Sequence, residues 1–159
     1  MTIRFLSLLF SVLLITVGLT ACGGAEAESA DDPTVTSLTI TPVGNQMKFE
    51  QTEFTVAAGT EITLTFENTA TSAAMEHNVV MLTDNADATI NRVGQAAMSA
   101  ADNAYIPDDE GVLAASDLAK PGETVTLTFT APSEPGEYAY ICTFPGHYTM
   151  MQGMMRVVE

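Results

Sequence analysis

Ile62-Thr63-Leu64-Thr65-Phe66 and Val125-Thr126-Leu127-Thr128-Phe129 set an apolar residue at every second position with Thr between. Successive side chains of an extended chain point to opposite faces, so each segment has one dry face of branched and aromatic residues and one wet face of threonine. A half-buried antiparallel strand reads this way. Val35-Thr36-Ser37-Leu38-Thr39-Ile40, Phe54-Thr55-Val56 and Tyr138-Ala139-Tyr140-Ile141 repeat the alternation, and Met154 to Val158 suits a closing strand. Turn residues separate the segments at Ala58-Gly59, Lys120-Pro121-Gly122 and Glu134-Pro135-Gly136. Short strands spaced like this predict an all-β fold, a β-sandwich or barrel. One stretch departs from period two. Ile90, Val93, Ala97 and Ala100 recur near a 3.6-residue period, which predicts a short inserted helix between Asp87 and Ala101, capped by Asp87 or Thr89, with a loop through Tyr105-Ile106-Pro107 after it.

Residues 1–21 read as an address. Arg4 precedes an apolar run from Phe5 to Leu19, shorter than the roughly 20 residues a spanning helix needs. Leu19-Thr20-Ala21-Cys22 then resembles a bacterial lipobox. The expectation is a lipoprotein-type signal peptide over 1–21 and a lipidated Cys22, which makes the protein exported and anchored to the cell membrane, facing periplasm or cell exterior. Diacylglycerol plus a further chain supplies the two lipid signals that stable anchoring requires. After Cys22, the stretch from Gly23 to Asp32 is Gly, Ala, Glu, Ser and Asp without periodicity, and residues 22–34 read as the lipidated Cys plus a flexible acidic linker. The folded domain is 35–159. With Cys22 acylated, Cys142 has no disulfide partner, and a lone buried thiol in an oxidising compartment needs another explanation.

The chain has 159 residues, 20 Asp+Glu against 5 Lys+Arg, a net charge of −15 and 47% hydrophobic residues. That hydrophobic content is too high for a disordered acidic tail, and the length suits one domain. Scarce, scattered Lys and Arg exclude nucleic acid as a partner. Glu26, Glu28, Asp31 and Asp32 fall in the linker, which leaves the domain nearer −12.

The scarcest residues carry the chemistry. Cys142-Thr143-Phe144-Pro145-Gly146-His147 ends a predicted strand, Met151 follows four residues after the His, and His77-Asn78 opens another apolar run. A thiolate, two imidazoles and a thioether form the soft and borderline donor set that favours copper over hard cations, the trigonal blue-copper set with a weak axial ligand. Pro and Gly let the loop turn tightly enough for Cys and His to face one point. Both histidines of the chain and its one unlipidated Cys fall in contexts that a single site explains.

The segment from Cys142 to Met151 resembles the copper loop of the azurin branch of the cupredoxins, and the chain from Asn45 to its C-terminus is similar to azurins and auracyanins. Asn45-Gln46-Met47-Lys48-Phe49, the His77-Asn78 pair, the helical insertion followed by Tyr105, and the Gly136-Glu137-Tyr138 approach to Cys142 carry the likeness. The resemblance implies a Greek-key β-sandwich, a plastocyanin/azurin-like cupredoxin domain, with one type 1 copper per chain at one end. It implies His77, Cys142 and His147 as equatorial ligands and Met151 as the long axial one. Asn78 would tie the ligand loops together, and the backbone N–H of Phe144 would donate to the thiolate and tune the potential. Met47, Met75, Phe144 and Pro145 match an apolar rim where partners dock. Azurins carry Gly where this chain has Glu76, so a four-coordinate site is expected, with the Glu76 carboxylate favouring Cu(II). The azurin disulfide has no counterpart.

The function these features predict is a membrane-tethered blue copper protein that shuttles single electrons between redox partners, such as a c-type cytochrome or a membrane-bound electron-transfer complex, acting as a monomer. The alternative is a copper-carrying or Cu(I)-sequestering periplasmic protein, prompted by Met150, Met151, Met154 and Met155. A copper enzyme needs further His ligands for a substrate-binding copper, and both histidines are already used, so no enzyme is expected.

Overall fold

The computed structural model describes residues 34–159. The expected signal peptide, the expected lipidation site Cys22 and all of the expected linker but its last residue lie outside the described residues. Two sheets pack face to face. Strands β1 (Ser37–Ile40), β3 (Glu61–Glu67) and β6 (Thr124–Thr130) form the smaller sheet in the order β1-β3-β6. Strands β2 (Glu53–Ala57), β4 (Val80–Leu82), β5 (Val112–Ala115), β7 (Gly136–Ile141) and β8 (Gln152–Val158) form the larger in the order β2-β8-β7-β4-β5.

The alternation that predicts β3 and β6 sets their packing. Ile62 lies opposite Phe129, Leu64 opposite Leu127 and Phe66 opposite Val125, with the intervening Thr63, Thr126 and Thr128 exposed. Across the sandwich, Phe49, Val56, Met81, Tyr140 and Met155 complete the shared core. Phe49 meets Phe66 edge-on and Tyr140 at a tilt, with ring centroids 6.1 and 5.2 Å apart.

The larger sheet is also covered on its outer side. Helix α1 (Asp87–Ala97) packs Ile90 and Val93 against Val80, Leu82, Ala139 and Ile141, a second and smaller core. All three residues of β4 are therefore buried. A strand dry on both faces has no alternation to read, and neither β4 nor the short, half-buried β5 is predicted from the sequence.

The helix start also differs from expectation. Ala86 is the N-cap and its side chain caps nothing. Asp84 takes that role: its carboxylate accepts the Ala86 N–H at 2.8 Å and the Thr89 hydroxyl at 2.9 Å, so neither Asp87 nor Thr89 is the cap. Further along α1, Gly94 faces the Tyr148 ring so closely that a Cβ there would lie 2.2 Å from it. The missing side chain lets the helix seat directly on the loop after β7.

The chain comes into the sandwich at the end where β3 begins and β6 finishes, as the pairings Ser37 with Thr63 and Glu61 with Thr130 require. Strand β7 starts at that same end, since Gly59 N–H donates to Pro132 in the β6–β7 loop. Cys142, just beyond the last residue of β7, is therefore at the opposite end.

Candidate metal centre

Two loops build the site. The first closes on itself: Cys142 N–H donates to the Met151 carbonyl at 3.0 Å, and Met151 N–H to the His147 carbonyl at 2.8 Å. Gly146, at φ 83°, supplies the left-handed residue that turns the chain into a single 3-10 turn starting at His147. The second loop carries His77, whose N–H and C=O pair with Ala119 at 3.1 and 2.8 Å.

These loops bring three donors together. Nδ1 of His77 lies 3.1 Å from Nδ1 of His147, and the Cys142 sulfur lies 3.7 and 3.6 Å from the same two atoms. A point equidistant from atoms so spaced is about 2 Å from each, the length of a metal–imidazole bond and close to that of a metal–thiolate bond. All three residues are buried, and only His147 keeps any exposure, at 4%.

The electrostatics point the same way. Burial, reinforced by the neighbouring His147, pulls His77 down to about 4, and burial lowers His147 as well. Burial pushes the Cys142 thiol up to about 12, against the opposing pull of the Asn78 and Phe144 backbone N–H groups. Near neutral pH the histidines thus keep lone pairs free for a metal, while a thiolate in so dry a place needs a cation beside it. The donor geometry and the charge requirement both fit a soft metal ion.

Residues 36–158 match the family of copper binding proteins, plastocyanin/azurin family. The chain belongs to this family, the cupredoxins. Auracyanin-A of Chloroflexus aurantiacus is 38% identical over 148 residues, covering 87% of this chain and 88% of its own. Outer membrane protein H.8 of Neisseria meningitidis is 35% identical over 120 residues, covering 72% of this chain and 64% of its own. Among solved structures, dithionite-reduced auracyanin from Roseiflexus castenholzii superposes with a TM-score of 0.73 at 35% identity, covering 80% of this chain and all of that one. The cofactor of this cupredoxin is a single type 1 copper, and the function of its family is electron transfer.

Around the three donors, Asn78 is wholly buried. Its Oδ1 accepts the Thr143 N–H at 2.8 Å, and its Nδ2 reaches the Thr143 hydroxyl at 2.9 Å and the Ala104 carbonyl at 3.1 Å. The carboxamide thereby joins the His77 loop, the Cys142 loop and the left-handed corner at Ala104 and Tyr105. Met151 is fully buried in the same core as Cys142, and Glu76 is half-buried beside His77.

Of the four expected rim residues of this cupredoxin, Met47, Met75 and Phe144 are half-buried and Pro145 is exposed. The Phe144 ring sits 5.0 Å from that of His147 and 5.2 Å from Tyr105. Met47 lines a groove of about 380 Å³ with Asn45, Gln46, Lys48 and Met150. Asn45 secures this side, its Oδ1 accepting the Thr71 and Ser72 N–H groups at 2.8 and 3.0 Å.

Met150, which lines that groove with Met47, is missing from the expected rim. It is 58% exposed, whereas Met151 and Met155 are buried and Met154 half-buried, so the four methionines do not form an exposed thioether cluster. Neighbouring methionines with opposite fates give no local signal. The hydrogen bonds of Asn45 and the Gly94–Tyr148 contact were also missed, because each joins residues distant in sequence.

Proposed function

We propose that this cupredoxin is an exported, membrane-tethered carrier of single electrons, lipidated at Cys22 and holding copper through His77, Cys142, His147 and, as the weak axial ligand, Met151. The observation that carries the reading is the convergence of two imidazole nitrogens and a thiol sulfur on one buried point. When bound there, copper supplies the one-electron chemistry between Cu(II) and Cu(I). The protein's part is to hold the donors still in a dry place. Asn78 locks the two ligand loops together, and the Phe144 and Asn78 N–H groups aimed at the sulfur tune how readily the site is reduced.

His147 is the one ligand with exposed surface, so a partner's redox centre approaches most closely on its side. Phe144, Pro145, Met47, Met75 and Met150 give that side an apolar surface suited to a small, transient contact. The acidic domain adds long-range attraction for a basic partner, such as a c-type cytochrome or a basic patch of a membrane-bound complex. The signal peptide of 1–21 and the linker of 22–34 complete the reading. Its support is the lipobox-like Leu19-Thr20-Ala21-Cys22, the name of the relative outer membrane protein H.8, and the start of β1 at the end of the sandwich opposite the donors.

Copper(II) titration of the purified domain tests the site. One copper per chain with an intense thiolate-to-copper band, lost in Cys142→Ser, is expected. A colourless protein, or more than one copper per chain, points instead to copper carriage. Phe144→Lys should slow exchange with a cytochrome at an unchanged spectrum, and Cys22→Ser should move the protein out of the membrane fraction.

A further inference from the structure

We propose that Asn68 is a positioning residue of the copper centre, a carboxamide clamp that fixes the main chain around His77. The inference rests on His77 being a ligand. Asn68 immediately follows β3 and is 1% exposed. Its Nδ2 donates to the Met75 carbonyl at 2.8 Å and to the Ala119 carbonyl at 2.9 Å. Met75 lies two residues before His77, and Ala119 is the residue whose N–H and C=O pair with those of His77. One amino group therefore grips the ligand loop and the segment it pairs with.

The clamp is itself held. Asn68 Oδ1 accepts the Ala70 N–H at 3.2 Å, its N–H donates to Glu123 at 2.9 Å, and its carbonyl accepts from Gly122 at 2.7 Å. Every polar group of this buried residue is thus engaged, as a rigid buried network requires.

The need for a clamp follows from the His77 ring. A metal-bound histidine is normally oriented by its outer N–H, which donates to a carboxylate, carbonyl or water. Nε2 of His77 is buried without a hydrogen-bond partner. The ring instead meets Phe66 edge-on, centroids 6.2 Å apart, and that contact does not fix rotation as a directed hydrogen bond does. The aim of Nδ1 then depends on where the main chain places the Cα–Cβ bond, and Asn68 sets that placement. Asp cannot replace it, because a carboxylate would set oxygen against two carbonyl oxygens.

Hydrogen exchange and spectroscopy test this. In the copper-free wild type, the His77 and Ala119 amides should exchange as slowly as the core amides of β3. Exchange at the rate of exposed loop amides overturns the clamp without any variant. In Asn68→Asp, or in Asn68→Ala should the first not fold, those two amides should exchange on the order of tenfold faster than in Leu127→Ala, a core variant on β6. With copper added, the Asn68 variant should also shift the blue band and the EPR pattern, while Leu127→Ala leaves both in place. Equal exchange and equal spectra in the two variants would mean that Asn68 contributes stability alone. An error in the ligand assignment would appear separately, as an unchanged spectrum in His77→Ala.

Discussion

The two sheets of the sandwich share one core and differ in what covers their backs. β3 and β6 turn Thr63, Thr65, Thr126 and Thr128 away from the core, and of these only Thr65 is half-buried. β4 and β7 turn Val80, Leu82, Ala139 and Ile141 toward helix α1. The wet-backed sheet keeps its period-two signature, and the sheet under the helix loses it. The site belongs to the second: Cys142 follows β7, His77 precedes β4, and Tyr148, next to His147, lies against Gly94 of α1. Donors held from both sides move little, which suits a centre that must change charge without rearranging.

The contrast can be broken most sharply by putting a charge behind each sheet. Ala139→Lys buries an ammonium between β7 and α1, among Val80, Leu82, Ile90 and Val93. A loss of several kcal/mol, read as a collapse of the denaturation midpoint, is expected. Gly94→Ala comes next. Alanine gains about 1 kcal/mol of helix propensity, but its Cβ must displace the Tyr148 ring, an overpacking that costs ~1–3 kcal/mol. The collision wins, so the variant should be modestly less stable. Its copper spectrum should also shift, because the displaced ring adjoins His147.

A smaller effect separates the site from both sheets. His77 titrates at about 4 in the folded copper-free protein against an ordinary 6.5, so between those values the unfolded chain binds the extra proton. Its contribution to stability is complete above pH 6.5 and is lost as the pH falls toward 4. The copper-free protein should therefore melt at lower temperature at pH 4.5 than at pH 7, and the drop should be smaller in His77→Ala. The smallest effect is that of Thr126→Lys on the exposed back of β6, expected within about 0.5 kcal/mol of wild type. A large loss there would erase the distinction between the sheets.

Legibility followed the same line. Strands with one wet face could be read from Ile62 to Phe66 and from Val125 to Phe129 alone, and the helix from its 3.6-residue period. β4 could not be read, because burial on both faces removes the contrast that periodicity measures. The helix cap was misplaced because Asp84 acts from outside the helical pattern. The metal donors were legible for a different reason: soft donor atoms are rare in this chain, and rarity makes their grouping informative. The roles of Asn45 and Asn68 were not legible, because both residues are chemically ordinary and only their partners distinguish them, whereas Asn78 was marked by its place beside His77 in the family resemblance.

By itself, the sequence determined that the chain forms an all-β fold with an inserted helix and that Cys142, both histidines and Met151 stand in a copper-binding pattern, since periodicity and donor chemistry are local properties. The tertiary structure alone decided that three donor atoms from two loops meet within 3.7 Å, that His147 is the one of the three donor residues that keeps any exposure, and that Asn68 donates to the carbonyls of Met75 and Ala119. Those are distances between residues up to 70 positions apart. They are fixed by how the sheets and the helix pack, which no local pattern records.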